Sequence, residues 1–336
     1  MGYRFQIRSA GILKLAIAIF FMAAISFMNC GAGDGGKTEV NLLGFFNEQI
    51  DSFKDGKKFR GRIESSVAAE ELTEETLRAA GAAIKYDTDH VALQSARMLV
   101  QLGFQKDPLY HSGIRLLRDE LILGTLLESG LKRDGELTDY ILETVQSSVP
   151  PQHISKFGRI FTDRLESAPD QTLLLIIAKG KITGALKILK SEEVAARISG
   201  WEEYRIALAA LGDDELEETF IEDFRKANDP EAKAEHASVL GKIGTQKALK
   251  ALAGEVRTGL IIEMPNVMMK SVRLDIISAM GYNFPEKEFL HDNAITDDQG
   301  YARVEQFCED RFGISWETER PDFLTVQGFP SEPAPE

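Results

Sequence analysis

Three segments of this chain end in the same way. Residues 205–212, 235–241 and 273–281 each carry small residues along one side and finish on a large apolar residue followed by glycine. The pairs are Leu211 then Gly212, Leu240 then Gly241, and Met280 then Gly281. Residues 97–103 are a weaker fourth copy, and 180–189 echo 241–252, both opening on Gly-Lys-Ile. The matching glycines 180, 212, 241 and 281 lie 32, 29 and 40 residues apart. A period in that range belongs to stacked helical hairpins, in which no unit can bury its apolar face alone. Small residues let neighbouring helices approach closely, and a terminal glycine is placed to turn the chain back.

Helical spacing runs through the rest of the chain. Leu43, Phe46, Ile50 and Phe53 fall three to four residues apart and make one apolar face. Ala92, Ala96, Leu99 and Gly103 share another, which Gly103 is placed to end. Leu137, Ile141 and Val145 form a third, with Tyr140 beside it, and Pro150 and Pro151 stop it. Ile154, Phe157, Phe161 and Leu165 follow, and later Leu216, Phe220 and Phe224. Asp107 before Pro108, and Asp229 before Pro230, read as N-caps with proline at the first helical position. Tyr301, Val304 and Cys308 give a last apolar face that reads as a cap. No sustained apolar–polar alternation bounded by hairpin turns is present, so no strand is expected. Residues 172–178 are a short apolar run that either element type can use; Asp170 before it and its helical neighbours favour a buried helix.

The repeated segments resemble degenerate HEAT-like repeats, the short bacterial type with a pair of helices per unit. The likeness is good over residues 201–290 and looser over 66–200. It implies an all-α fold, an α-solenoid of helical hairpins, and a style of binding rather than an activity. Some HEAT-like proteins resemble tetrapyrrole lyases and others act on alkylated DNA bases, so an enzyme of the lyase type is the alternative the resemblance carries.

The first thirty residues read differently. Arg4, Arg8 and Lys14 precede fourteen uncharged, mostly apolar residues, 15–28. That length suits the h-region of a signal peptide and falls short of the ~20 residues of a membrane-spanning helix. Cys30 follows directly, and the arrangement resembles a bacterial lipoprotein signal, with Phe27 at −3 and Asn29 at −1 in place of the leucine and small residue of the strict form. The resemblance implies cleavage before Cys30 and acylation of its sulfur and new amino group. A cut by the ordinary signal peptidase, or an uncleaved anchor, are the other readings; Ala23 and Ala24 lie deep in the apolar run. Glycine-rich residues 31–36 then suit a tether. Gly31, Gly33 and Gly36 match G-x-G-x-x-G literally, but no strand precedes them and no helix follows, as a dinucleotide site requires. Loss of residues 1–29 removes three cations and takes the net charge from −14 to −17.

Few residues point to chemistry. His90, His111, His153, His236 and His291 are scattered, with no histidine or cysteine at a ligand spacing from any of them. The acids Asp292, Asp297 and Asp298 near His291 lack a calcium-loop spacing. No G-x-S-x-G elbow and no phosphate loop occurs. Cys308, beside Phe307 and Val304, reads as packing rather than an activated thiolate. No catalytic, cofactor-binding or metal-ligating residue is therefore assigned, and no cofactor is expected.

Two charge runs remain. Lys54, Lys57, Lys58, Arg60 and Arg62 stand against Asp55 close to the expected lipid end; they read either as a solvated loop or as a contact for anionic headgroups. Seven of the eleven residues 213–223 are acidic, and Leu216, Phe220 and Phe224 keep an apolar face there. The acids are expected on the opposite, wet face, either simply solvated or, as Asp213, Asp214, Glu217, Glu218 and Glu222, docking a basic partner.

The 39 Lys and Arg against 53 Asp and Glu argue against nucleic-acid binding, and an apolar content of 43% argues against disorder. The expected organisation is a signal peptide (1–29), a tether (30–38), an N-terminal helix and basic loop (39–65), a HEAT-like array with its cap (66–320) and a proline-rich tail (321–336). The expected protein is a lipid-anchored, non-enzymatic α-solenoid of the bacterial cell envelope that binds a protein or peptide; a purely structural envelope lipoprotein is a further alternative.

Overall fold

Capping side chains set where the helices begin. Thr73, Thr88, Ser191, Thr245 and Ser271 each accept a hydrogen bond from an amide of the following first turn. Asp119, Asp170, Asp213 and Asp229 do the same. Each cap satisfies a donor that the first turn leaves without an intrahelical partner, an effect of ~1 kcal/mol. Asp229 and Pro230 act as read from sequence. Asp107 caps only a 3-10 turn, Pro108–Ser112, because Gly113 at φ 88° ends it at once.

The computed structural model describes residues 42–64, 67, 72–264, 268–291 and 298–316. The segments expected as signal peptide (1–29), tether with Cys30 (30–38) and proline-rich tail (321–336) lie outside them. The helices are α1 (Leu42–Lys54), α2 (Glu74–Tyr86), α3 (Asp89–Gln105), α4 (Glu120–Gly130), α5 (Glu136–Ser148), α6 (Pro151–Ile154), α7 (Gly158–Ser167) and α8 (Gln171–Lys179). They continue with α9 (Ala185–Leu189), α10 (Glu192–Ile198), α11 (Glu202–Ala210), α12 (Asp214–Lys226), α13 (Pro230–Ile243), α14 (Gln246–Gly254), α15 (Val272–Gly281) and α16 (Asp298–Phe312). The run at 172–178 is the buried body of α8. The stripe from Ile154 to Leu165 is shared between α6, a 3-10 turn at Ser155–Phe157, and α7.

α3, α5, α8, α11, α13 and α15 follow one another in space, each packed on the next. A second set flanks them: α2 packs on α1, α3 and α4, α7 on α8, α12 on α11 and α13, and α14 on α13 and α15. The core fills the space between, and the stripes named above supply much of it: Phe46, Ile50, Phe53, Leu99, Ile141, Phe161, Phe224, Tyr301, Val304 and Cys308 are all buried. Among the described residues the fold is all-α with one exception. β1 (Ile261–Met264) and β2 (Met268–Ser271) pair antiparallel, with Ile261 opposite Ser271 and Met264 opposite Met268. Strands of four residues are too short to show an alternation, which is why none was expected. The hairpin is held at its base, where the Val272 amide donates to the Leu260 carbonyl over 3.1 Å.

The repeat glycines correct the sequence reading. Of the four, Gly212 alone has a left-handed backbone, at φ 106°. Gly103 lies inside α3, which runs on to Gln105, and Gly241 lies inside α13. Their role is close approach: a Cβ on Gly241 would sit 2.6 Å from the Ala279 oxygen, one on Gly281 2.6 Å from the Leu290 oxygen, and one on Gly103 would overlap Leu117. The turn after α13 belongs instead to Gly244, at φ 59°.

Gly241→Ala should therefore destabilise the protein by about 1–3 kcal/mol through overpacking. Gly254→Ala, at the end of α14 where nothing lies within 4 Å of the new Cβ, should stabilise it by about 0.5 kcal/mol. Urea unfolding followed by circular dichroism measures both.

Candidate functional site

Small residues on two neighbouring helices open a trough. Gly81 of α2 faces α4 so closely that a Cβ there would lie 3.2 Å from both Thr125 and Ser129. Gly124 of α4 faces Phe157 in the same way, at 3.3 Å. With Gly81, Ala82 and Gly124 as a low floor, the side chains around them stand proud and enclose about 550 Å³. Among the described residues the large apolar side chains left exposed are Tyr86 at 75% and Leu121 at 63%, and both line this trough. Isolated exposed apolar residues are ordinary, whereas two on one concave surface define a patch.

The rim carries both charges. Arg78 pairs with Glu74 at 2.8 Å, and the Lys85 ammonium lies 4.7 Å from the Tyr86 ring centre. Glu120 pairs with Lys156 and lies 3.2 Å from His153 Nδ1. Its hydrogen bond from Lys156 holds its carboxyl below the usual value. A second trough, also about 550 Å³, lies on the other side of α4 between Leu127, Leu131 and Ile160, and Glu128 belongs to both. Such surfaces can seat apolar side chains of a peptide while the rim orients its charged ones.

A different set of polar groups lies where helices end. Arg133 donates to the Ile84 and Asp87 carbonyls at the end of α2, over 3.0 and 2.8 Å. Arg164 donates to Leu131 O beyond α4, over 3.5 Å, and pairs with Asp134 at 2.7 Å. Lys179 donates to Gln146 O of α5 over 2.6 Å, Lys181 to Ile243 O at the end of α13, and Asn283 to Gly241 O over 2.7 Å. Cations suit helix C-termini because the last carbonyls lack partners and carry partial negative charge. Lys179 is only 3% exposed, and burial pulls its ammonium down to about 7. Lys181, with φ 49°, is drawn down to about 8 by burial, against the opposing pull of Glu217.

The acidic segment is less free than its sequence implied. Asp213 is the N-cap of α12. Glu217 is 5% exposed and accepts a hydrogen bond from Thr245 at the start of α14, which corrects its placement on the wet face. The reason is that α14 packs on α12 at this point. Glu218 pairs with Lys247 and lies 3.8 Å from Arg225, and Glu222 pairs with Lys226 at 2.6 Å. Asp214 stays exposed, with Glu215 and Asp223. Cys308 is buried, and burial pushes its thiol up to about 12, far from an activated thiolate. His90, His153 and His291 meet the Lys57 carbonyl, Glu120 and the Pro285 carbonyl respectively. Among the described residues no three His, Cys, Asp or Glu side chains converge on a metal position, and no helix is long and apolar enough to cross a membrane.

Comparison with known proteins finds no match to a family model, to a curated protein or to a solved structure. The trough was not legible as a site: Tyr86 ends one helix, and Leu121 adjoins the core residues Ile122 and Leu123. The signal that was present is the pair of mid-helix glycines, Gly81 and Gly124.

Lys179 gives stability a pH dependence. Below about pH 7 it is charged in both the folded and unfolded chain. Between about 7 and its ordinary 10.5, the unfolded chain holds a proton that the folded one has released, so stability rises with pH across that window. Between pH 6 and 9 this contribution should amount to about 3 kcal/mol at ~1.4 kcal/mol per pKa unit. Lys179→Met should remove it, and urea midpoints of the two proteins at the two pH values measure the difference.

Proposed function

We propose that this chain is a lipid-anchored binding scaffold of the bacterial cell envelope, which holds a peptide segment of a partner protein in the trough between α2 and α4. The observation that carries the binding reading is the convergence of Tyr86 and Leu121 on one concave surface floored by Gly81, Ala82 and Gly124. An occupant matching it brings one or two large apolar side chains and charges of both signs, to meet Arg78 and Lys85 on one edge and Glu120 and Glu128 around it.

The HEAT-like solenoid is part of the proposal. It is supported by the repeated segments and by the succession α3, α5, α8, α11, α13 and α15, in which each helix packs on the next. The anchor reading is supported by the basic residues Arg4, Arg8 and Lys14, the uncharged run at 15–28 and the position of Cys30. The mechanism is tethering: fixing the scaffold to a membrane raises the effective concentration of its binding surface there, with no bond chemistry. Several acyl chains at ~0.8 kcal/mol per buried methylene suffice for stable anchoring.

Two experiments test the two halves. Fatty-acid labelling in cells should mark the wild type and spare Cys30→Ala; label retained by the variant removes the anchor. For the trough, a photoreactive residue replacing Lys85 should give a defined adduct in intact cells. Tyr86→Ser with Leu121→Asp should abolish that adduct while shifting stability by less than about 0.5 kcal/mol, as expected of exposed positions. An adduct unchanged by the double variant removes the trough.

A further inference from the structure

The basic segment following α1 has no part in the trough, yet the fold holds it in a defined shape. It leaves α1 through a Schellman turn: the Gly56 amide donates to Phe53 O over 2.9 Å, the Lys57 amide to Ser52 O over 3.2 Å, and Gly56 sits at φ 81°. Three side chains of α3 then pin the segment. His90 Nε2 meets Lys57 O at 2.9 Å, the Phe59 amide donates to Gln94 Oε1 over 2.9 Å, and Gln105 donates to Ile63 O over 2.9 Å. Gln94 is itself buried, Ile63 is 1% exposed, and Phe59 packs against the core.

These attachments decide which side chains face outward. Phe59 and Ile63 point in, whereas Lys57, Lys58, Arg60 and Arg62 are all exposed. None of the four has an ion-pair partner among the described residues. Lys54, by contrast, is paired with Asp51 at 3.0 Å and also feels Asp87. Asp55 and Glu64 are the acids within the segment, so residues 54–64 carry a local surplus of three positive charges in a chain of net charge −14. Some exposed cations elsewhere are paired with neighbours, as Lys226 is with Glu222 and Lys247 with Glu218. On this hydrogen-bonded loop, four cations without an ion-pair partner among the described residues stand within six positions of one another.

We propose that Lys57, Lys58, Arg60 and Arg62 form a docking surface for a membrane bearing anionic phospholipids. Position and charge select this occupant. Eleven residues separate Cys30 from the start of α1, a stretch that spans at most about 40 Å, and α1 adds about 20 Å. Under the anchor reading, the loop is therefore within reach of the bilayer surface. The chain as a whole is acidic and is repelled by an anionic surface, so the loop would be a face favoured to approach and would orient the molecule. The inference rests on the anchor reading for the membrane and for the loop's distance from it.

The test uses the unit Asn41–Glu336, which contains the core described above and lacks Cys30. It is sedimented with phosphatidylcholine vesicles, with and without phosphatidylglycerol. Binding is expected to the anionic vesicles alone and should weaken steeply as salt is raised. At about fivefold per cation, replacing Lys57, Lys58, Arg60 and Arg62 together by glutamine should lower the partition by roughly 600-fold. The circular dichroism spectrum should not change. Equal binding to both kinds of vesicle, or full binding by the quadruple variant, overturns the proposal. So does capture of single-stranded DNA through the same four residues without vesicle binding. Because Cys30 is absent, failure of acyl labelling leaves this result standing, and failure here leaves the anchor untouched.

Discussion

Close contact between helix backbones is the constraint on which the other features rest. At Gly241 the backbone of α13 meets Ala279 of α15 with no room for a methyl group, and Gly103 and Gly130 meet Leu117 and Ile141 as tightly. Helices drawn this near bury their own ends, and a buried carbonyl without a donor costs more than an ordinary hydrogen bond contributes. The cations and amides at the helix ends answer that cost. Asn283 donates to Gly241 O, on the very residue that allows the approach. Arg133 and Arg164 perform the same task, each reaching back to the end of an earlier helix. Lys179 is the extreme instance, since its donor is useful enough to be kept although burial weakens its charge.

The same contact makes the trough. Between α2 and α4 the small residues lie on the outward side as well as at the seam, so the helices meet without filling the surface above them. Gly81 serves the seam and the floor at once. A larger residue there would push α4 away and fill the depression, so the binding surface and the packing cannot be altered separately at this position.

Sequence alone conveyed the helical class, because stripes such as Leu137, Ile141 and Val145 repeat at the helical period and are buried as that spacing requires. It also conveyed the caps Asp170 and Asp229, whose effect is local, but not Asp119 or Asp213. It failed where meaning depends on a partner far along the chain. Gly241 looks like a helix end until its contact with Ala279 on α15 is known. Glu217 looks solvated until Thr245 is brought against it from the next helix but one. The hairpin of β1 and β2 was invisible because two four-residue strands give pairing without periodicity. Tyr86 and Leu121 were missed for a related reason: exposure belongs to the assembled surface and has no signature in a single helix.

The two proposed surfaces are built on adjoining helices. The basic loop is pinned to α3 through Gln94 and Gln105, α2 packs on α3, and α4 completes the trough by packing on α2. Packed helix axes lie about 8–10 Å apart, so the trough sits within roughly two helix spacings of the loop. If the loop rests on a bilayer, a partner segment entering the trough is met close to the lipid surface. The mixed charge of the rim then has a use beyond recognition. Arg78 and Lys85 are drawn to an anionic surface while Glu120 and Glu128 are repelled by it, which favours one orientation of the trough over the others. Membrane docking and partner binding would in that case be coupled through geometry alone, without any change in fold.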